Sequence, residues 1–226
     1  MKNKKKVLFI AAHPDDETLG CGGSILKHKA LGDEIYWLIV TAMFKSDIFS
    51  NKRIQSREKE INAVARAYNF SDIFKLELPS TRLDRIPITR IIENIANIIK
   101  STKAEIIYLP HLGDLHTDHQ ITHKAVIASI KSFRAPSVKK ALAYETVSET
   151  EFSLPDKKNA FVPNIFVDIT PFIDKKIKIM KLYKGEIKPF PFPRSEKNLR
   201  ALATFRGARM GVRYAEAFMG IEEFIL

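Results

Sequence analysis

Three features of the sequence predict a single α/β domain with a mostly parallel β-sheet. Short apolar runs alternate along the chain with segments of helical periodicity, which is the pattern of repeated strand–helix units. The runs are apolar at nearly every position, as is typical of strands covered on both faces. The length of 226 residues suits one domain with a good-sized core. We therefore expect a Rossmann-like fold with helices on both faces of the sheet.

The elements in the first part of the chain follow this alternation in order. Strands are predicted at residues 6–12, 34–42, 73–78 and 104–110. Helices are predicted between and after them, at residues 17–32, 53–69, 88–102 and 119–133. The first helix is expected to end at Gly32, and the helix at 88–102 has the most regular apolar spacing.

The alternation loosens in the last third of the chain. Two strands and two helices are predicted there, at residues 139–147, 164–170, 171–185 and 195–211. Pro171 is placed in the first turn of one helix, and Ser195 is the N-cap of the other. Residues 188–195 contain three prolines and are expected to be irregular. We expect residues 1–138 to form an α/β core and residues 139–226 to extend the same domain and shape a substrate pocket.

The composition narrows the possible function classes. The formal net charge is +11, but the basic residues are scattered among acidic ones, and only KNKKK near the N-terminus forms a cluster. Charge alone therefore does not favour binding to nucleic acid. Cys21 is the only cysteine, which excludes an internal disulfide and fits a reducing compartment. No apolar run is long enough to span a bilayer and no cleavage site follows the basic N-terminus, so we expect a cytoplasmic protein without a transmembrane segment.

The heptapeptide AAHPDDE, residues 11–17, directly follows the first predicted strand. Carboxylates this close together repel one another, and an apolar neighbourhood strengthens the repulsion. A bound cation, or solvent at the strand end, must therefore stabilise them. Capping of the next helix by Asp15, Asp16 or Glu17 is the simpler interpretation. Capping does not, however, need His13, which lies three residues before Asp16.

A second polar cluster, PHLGDLHTDH at residues 110–119, follows the strand predicted at 104–110. His116 and His119 lie three residues apart at the start of a predicted helix, so both can face the same side, and Asp118 lies between them. The carboxyl ends of parallel strands meet at one edge of the sheet, where ligands bind. Two segments that each offer nitrogen and carboxylate can form a three-ligand site with an open position, which is the arrangement of a catalytic zinc. The core is therefore expected to carry a metal site.

The motif AHPDDETLGCGG, together with HTDH, resembles the LmbE/PIG-L family of zinc-dependent N-deacetylases. The segments RIQSREKEINAVA and RGARMGVRYAEAF are similar to further parts of that family, so the resemblance covers nearly the whole chain. It implies one bound Zn²⁺ per chain, with Fe²⁺ as an alternative, held by His13, Asp16 and His119. It also implies three catalytic residues, which are Asp15 as general base, His116 stabilising the oxyanion or protonating the leaving amine, and Asp118 orienting or charge-tuning His116.

The activity that the resemblance implies is removal of the N-acetyl group from an N-acetylglucosamine-type amino sugar or its conjugate, with release of acetate. Zinc activates water and polarises the amide carbonyl, Asp15 takes the water proton, and a protonated His116 suits the developing oxyanion. Five arginines are candidates for binding the substrate, although surface solvation is favoured for each: Arg53, Arg57, Arg82, Arg194 and Arg206. Arg57 is the strongest of them because the resemblance places its helix near the pocket.

Several residues of these motifs have no assigned chemistry. The local sequence HLGDLHTDH departs from the common family pattern and leaves His111 and Asp114 without roles. His123 lies one helical turn further on and is expected on the helix face rather than at the metal. The glycines of GCGG, residues 20–23, are expected to allow close packing of helix against sheet or approach of the backbone to the site. Cys21 is expected to be a small packed residue.

Three other interpretations stay open. Two histidines and one carboxylate are also the ligand set of non-haem iron enzymes, which do not need Asp15. A basic nucleic-acid-binding module predicts salt-dependent affinity and leaves HPDDE without a role. The third is a metal-binding protein that has lost its activity. The sequence does not identify the sugar, the native metal, the role of residues 188–195 or the oligomeric state, for which a homo-oligomer stays open.

Overall fold

A computed structural model describes residues 4–45 and 49–225 of the chain. The strands of its sheet are β1 (Lys6–Ala11), β2 (Glu34–Ala42), β3 (Asp72–Pro79), β4 (Ile106–Pro110), β5 (Lys140–Tyr144), β6 (Ile165–Asp168) and β7 (Ala215–Glu223). The α-helices in the same ranges are α1 (Asp16–Ala30), α2 (Asn51–Tyr68), α3 (Ile88–Thr102), α4 (Thr117–Ser129), α5 (Ile173–Met180) and α6 (Glu196–Met210).

The strands form one seven-stranded sheet in the order β3-β2-β1-β4-β5-β7-β6. The strands β3, β2, β1, β4 and β5 are parallel to one another, and β7 is antiparallel to both β5 and β6. From β1 the chain continues outward to β2 and β3, and then returns to β4 on the other side of β1. The carboxyl ends of β1 and β4 therefore flank a switch point of strand order, which is where open α/β sheets bind their ligands.

Helices cover both faces of the sheet. Successive side chains of each strand point to opposite faces, so each strand contributes to two separate core clusters. Phe9 of β1 belongs to a core cluster with buried residues of α1, α2 and α5. Its neighbour Leu8 belongs to a second cluster, to which α3 contributes Ile91, Ile95 and Ile99. The predicted α/β fold, with a mostly parallel sheet between two layers of helices, is confirmed.

Glycines let α1 lie close to its neighbours. A Cβ atom on Gly20 would lie 2.3 Å from Cδ2 of Tyr144, and one on Gly23 would lie 2.5 Å from Cγ2 of Ile169. No side chain fits in this space, so the prediction that these glycines serve packing is confirmed. Cys21 is fully buried in the same core cluster, as expected for a small packed residue.

The boundaries differ from prediction mainly at helix ends. The helix at 88–102 is as predicted, whereas α4 begins at Thr117, before its predicted start at residue 119. Pro171 precedes α5 and its N-cap residue, so its placement in the first turn is wrong. Ser195 is confirmed as the N-cap of α6, because its hydroxyl accepts the Asn198 N–H at 3.2 Å.

The extension after residue 138 adds β5, β6 and β7 to the same sheet as the core, and β7 had no counterpart among the predicted elements. Residues 188–195 form neither helix nor strand, as expected. No helix in the ranges 4–45 and 49–225 is both long and apolar enough to cross a membrane.

Candidate metal centre and active site

Two loops meet at the switch point of the sheet. One leaves β1 and carries His13, and the other leaves β4 and leads into α4, which carries His119. The β4–α4 loop ends at His116, the N-cap residue of α4, whose Nδ1 accepts the N–H of Asp118 at 3.1 Å. The strand ends therefore bring together side chains that lie more than a hundred residues apart in the chain.

Three side-chain atoms from these loops form a compact triangle. Nδ1 of His13 lies 3.3 Å from Nε2 of His119, and Oδ2 of Asp16 lies 3.6 Å and 3.3 Å from these two atoms. Zinc bonds of about 2.0–2.1 Å at tetrahedral angles put neighbouring ligand atoms about 3.3–3.4 Å apart. The triangle thus has the dimensions of three ligands around one small cation.

The outward-facing nitrogen of each imidazole is bound by a carboxylate. Nε2 of His13 lies 3.0 Å from Oδ2 of Asp118, and Nδ1 of His119 lies 2.8 Å from Oδ2 of Asp114. Such partners fix the orientation of metal-binding histidines and make them better ligands. Asp114, which had no role at the sequence level, is itself held by the hydroxyl of Thr150 at 2.6 Å.

The electrostatics of the cluster favour a positive charge at its centre. Burial lowers the pKa of His13, but the hydrogen bonds that its ring donates to Asp118 and Asp16 outweigh this effect and raise the pKa to about 9. Burial likewise opposes protonation of His119, but Asp16 and Asp114 raise the pKa of this imidazole well above its usual value. Three carboxylates around two imidazoles leave a negative excess when both imidazoles are neutral, so the donor set suits a divalent cation.

A second group of atoms could also hold a cation. Ligand atoms of His13, His116 and Asp118 lie within 4.8 Å of one another. Both oxygens of Asp118 accept backbone N–H groups, from Thr81 at 2.7 Å and from Leu83 at 3.2 Å, whereas Asp16 accepts just one backbone N–H from the described residues, that of His13, at 2.7 Å on Oδ2. Nδ1 of His116 accepts a backbone N–H as well. The triangle around Asp16 is therefore the better metal site.

Asp15 belongs to neither group of candidate ligands. Its Oδ2 accepts a hydrogen bond from Nη1 of Arg194 at 2.8 Å, and its backbone has a φ of 135°, a conformation that residues other than glycine rarely adopt. Burial raises the pKa of Asp15 to about 7, Arg194 opposes this increase, and the adjacent Asp16 adds to it. A buried carboxylate with a pKa near neutrality, beside a candidate metal site, suits a general base.

The surroundings of His116 disfavour its protonation. Burial, and then the neighbouring His13 and His119, lower the pKa of His116 to about 4. Its Nδ1 accepts an N–H, so the proton of the neutral ring is on Nε2. This lowered pKa opposes the protonated imidazole expected from the sequence. The Asp118 carboxylate contacts His13, and only the backbone N–H of Asp118 bonds to His116.

Arg57 is buried on α2 and lines a cavity of about 200 Å³ beside the metal site. Its Nη1 donates to the carbonyl oxygen of Pro14 at 2.9 Å, its Nη2 forms an ion pair with Glu186, and its Nε lies 3.4 Å from Oε2 of Glu60. These contacts attach α2 to the loop of the first motif. The same cavity is lined by residues of the metal-site loops and of α2 and β3, among them His13, Asp15, His116, Ile54, Glu58, Ile61 and Lys75.

The other arginines considered from the sequence have different positions. Arg194 lines the cavity and contacts Asp15, whereas Arg53 is not among the lining residues and pairs with Glu60 and Glu186. Arg206 forms a two-bond ion pair with Glu145 and lines a separate cavity. Arg82 is exposed and caps a short 3₁₀ turn.

The two remaining histidines of the second cluster bond to backbone carbonyls. Nε2 of His111 lies 3.0 Å from the carbonyl oxygen of Asn159, and Nδ1 of His123 lies 2.9 Å from that of Pro110. Neither belongs to a candidate ligand group within the described part of the chain. The prediction that His123 is a helix-face residue is confirmed.

Comparisons with known proteins agree with this geometry. The chain is 27% identical over 227 residues to the diacetylchitobiose deacetylase of Thermococcus kodakarensis, a match that covers 94% of this chain and 81% of that protein. The structure of N,N'-diacetylchitobiose deacetylase from Pyrococcus horikoshii superposes with a TM-score of 0.78 at 24% identity, covering 98% of this chain and 85% of that one.

The fold alone does not determine the reaction. GalB of Pseudomonas putida, a 4-carboxy-2-hydroxymuconate hydratase, superposes with a TM-score of 0.75 at 17% identity and covers 98% of each chain. The family model described as PIG-L, GlcNAc-PI de-N-acetylase, matches residues 8–130, which include both loops of the metal site. This match spans more than half of the sequence, and the chain therefore belongs to the PIG-L family of deacetylases.

Proposed function

We propose that the protein is a metal-dependent hydrolase that removes the N-acetyl group from an N-acetylglucosamine-type amino sugar or its conjugate and releases acetate and a free amine. One observation carries this proposal. His13, Asp16 and His119 form a triangle of cation-binding size, while the adjacent carboxylate of Asp15 is left outside it. Amide hydrolysis needs one carboxylate as a ligand and another as a base, and adjacent aspartates with different contacts supply both.

The proposed cofactor is one Zn²⁺ per chain, held by His13, Asp16 and His119, because nitrogen and carboxylate ligands at these separations suit zinc. When bound, the ion lowers the pKa of water to about 7 and polarises a carbonyl oxygen. Asp118 and Asp114 hold the two imidazoles in the orientation that the site needs.

One side chain is proposed to transfer the proton, and a second to stabilise the oxyanion. Asp15 accepts the proton of the attacking water, since it is buried, not a ligand and close to the metal site. His116 donates a hydrogen bond from its Nε2–H to the developing oxyanion, because its Nδ1 already accepts the backbone N–H of Asp118. The proton that Asp15 has taken from water then passes to the leaving amine, which restores the Asp15 carboxylate. The ring of His116 lies 4.4 Å from that of His13, which puts this donor beside the site.

The substrate class rests on the cavity and on the named relatives. The names of the family and of the Thermococcus relative both refer to removal of acetyl groups from amino sugars. The cavity combines apolar Ile54 and Ile61 with charged side chains such as Glu58, which suits a ring with an apolar face and hydroxyl groups. Arg57 is proposed to contact the substrate from the same wall.

Residues of the extension also line this cavity. Glu149, Glu186 and Arg194 all lie after residue 138, and they face the loop that carries Asp15. We therefore propose that residues 1–138 form a core with the metal site, and that the extension at 139–226 shapes the substrate pocket. The cavity gives no support to a nucleic-acid partner, because its arginines already pair with carboxylates of the protein.

An acetate-release assay tests the proposal. The purified protein is treated with a chelator, reconstituted with Zn²⁺ or Fe²⁺, and incubated with N,N'-diacetylchitobiose, N-acetylglucosamine and its glycosides. We expect acetate and free amine in equal amounts, loss of activity with the chelator, and recovery with the metal. Absence of acetate from every substrate would refute the deacetylase proposal. Consumption of oxygen by the Fe²⁺ form would favour an iron oxygenase instead.

A further inference from the structure

We propose that Arg194 is a positioning residue that fixes the Asp15 carboxylate for proton transfer. The inference rests on the proposed function, in which Asp15 is the general base. Arg194 lies in the extension, 179 residues from Asp15 along the chain, and outside the segment matched by the family model. No motif of the sequence pairs these two residues.

The guanidinium of Arg194 is held on several sides. Its Nη1 donates to Oδ2 of Asp15 at 2.8 Å and to Oε2 of Glu186 at 3.2 Å, and its Nε donates to Oγ of Ser148 at 2.6 Å. Its Nη2 lies 3.6 Å from Oε1 of Glu149. A planar group with this many partners has one orientation, so it presents Nη1 to Asp15 in a fixed direction.

The backbone on either side of Arg194 is fixed as well. Ser195, the next residue, is buried and caps α6. The side-chain amide of Asn198 in the first turn of that helix donates to the carbonyl oxygen of Pro193 at 2.7 Å. Arg194 therefore extends from a rigid helix start and not from a free loop.

Asp15 needs such an anchor because of its own position. Its backbone conformation is strained, and its N–H donates to Oε2 of Glu17 at 3.1 Å. Among the described residues, Arg194 is the one whose side chain donates a hydrogen bond to the Asp15 carboxylate, and it contacts only Oδ2. Oδ1 is left to accept a proton from water. A general base must lie within hydrogen-bonding distance of that proton, and a displacement of about 1 Å can cost about 100-fold in rate.

Kinetics of an Arg194→Ala variant test this role against a matched control. Arg206→Ala removes an arginine of similar exposure, 18% against 15% for the Arg194 side chain, and it breaks an ion pair with Glu145 rather than with Asp15. We expect Arg194→Ala to lower kcat about 10- to 100-fold with KM and metal content nearly unchanged, and Arg206→Ala to leave kcat within about twofold. Added guanidinium is expected to restore part of the lost kcat, and Arg194→Lys to retain more activity than Arg194→Ala.

A rise in KM with kcat unchanged would show that Arg194 binds the substrate and would overturn the positioning role. Equal losses in Arg194→Ala and Arg206→Ala would also overturn it, because a general loss of packing would then explain both. Crystal structures of the two variants show the position of the Asp15 side chain without an activity measurement. We expect the Asp15 side chain to be displaced or disordered in Arg194→Ala and unchanged in Arg206→Ala, and an unmoved Asp15 in both would refute the inference. If the wild-type protein releases no acetate, the proposed function fails, while these two structures still decide the contact.

Discussion

The two sides of the site are built in different ways. The histidine side consists of His13, Asp16, Asp114, Asp118 and His119, and all of these come from two short segments at the ends of β1 and β4. The arginine side consists of Arg57, Glu149, Glu186 and Arg194, which come from α2 and from three separate parts of the extension.

The two sides also differ in charge. The histidine side has more carboxylates than its imidazoles can neutralise, so it needs a cation. On the arginine side, Glu186 pairs with both arginines, so the charges largely balance within the protein. Asp15 is where they meet, because it is adjacent to a ligand in the chain and bound to Arg194 in space. The comparison suggests that metal binding is a local property and that positioning of the base depends on the extension.

Removal of a ligand should have the largest effect. His119→Ala is expected to abolish stoichiometric metal binding and to lower kcat/KM by about 10³-fold or more. The reason is that a bound ion lowers the activation free energy by several kcal/mol. Elemental analysis of the dialysed protein and the acetate assay measure this. His123→Ala is the control, since it removes a buried histidine one turn further along α4 whose partner is a backbone carbonyl. Full metal occupancy in His119→Ala would show that His119 is not a metal ligand.

Asp15 tests where the boundary between the two sides lies. Asp15→Asn keeps the shape of the side chain but cannot accept a proton, so we expect full metal content and a fall in kcat of about 10²- to 10⁴-fold. The matched variant is Asp16→Asn, which changes the neighbouring carboxylate and is expected to weaken metal binding. Loss of metal from Asp15→Asn would make Asp15 a ligand and would contradict its proposed role as base.

The carboxylates behind the imidazoles should have a smaller effect. Asp114→Asn removes the charge that faces Nδ1 of His119, and we expect metal affinity to fall about 10- to 100-fold. Competition with a chromogenic chelator measures the change. Asp33→Asn is the control, because Asp33 lies 2.7 Å from Nδ1 of His28 in a similar pair away from the site. Equal affinity in both variants would show that Asp114 only supports the fold.

The histidine side could be predicted from the sequence because its determinants are local. A buried strand ends just before His13, and the spacing of three residues to Asp16 puts both near one point. The apolar strands, in turn, predict that β1 and β4 end at the same edge of the sheet. The role of Asp114 had a local signal too, since a carboxylate five residues before His119 can reach its ring across the helix start. The lowered pKa of His116 could not be predicted from the sequence, because it comes from burial and from the neighbouring His13 and His119, which only the tertiary structure brings together.

The arginine side could not be predicted in the same way. The partner of Asp15 lies 179 residues away, within a proline-rich segment without regular structure, and no periodicity relates such positions. Glu186 likewise lies outside any helix or strand. Which arginine is solvated and which is buried depends on where these segments pack, and that is a property of the tertiary structure alone. A long-range ion pair has no spacing rule, whereas a metal motif does.

Arg57 gives the smallest expected effect and shows how separate the two sides are. Its Nη1 reaches the carbonyl oxygen of Pro14, between His13 and Asp15, so it contacts the loop of the histidine side while lining the substrate cavity. We expect Arg57→Gln to raise KM about tenfold, the lower end for a hydrogen bond to a charged group, and to leave kcat within about twofold.

Arg53→Gln is the matched control for Arg57→Gln, because Arg53 lies one turn earlier on α2 and pairs with the same Glu60 and Glu186 without reaching Pro14. If only Arg57→Gln raises KM, its place in the cavity matters beyond the ion pairs that both arginines share. If Arg57→Gln instead lowers metal occupancy, its bond to Pro14 supports the ligand loop. The two sides would then not be independent, because metal binding would depend on α2 as well as on the two motifs.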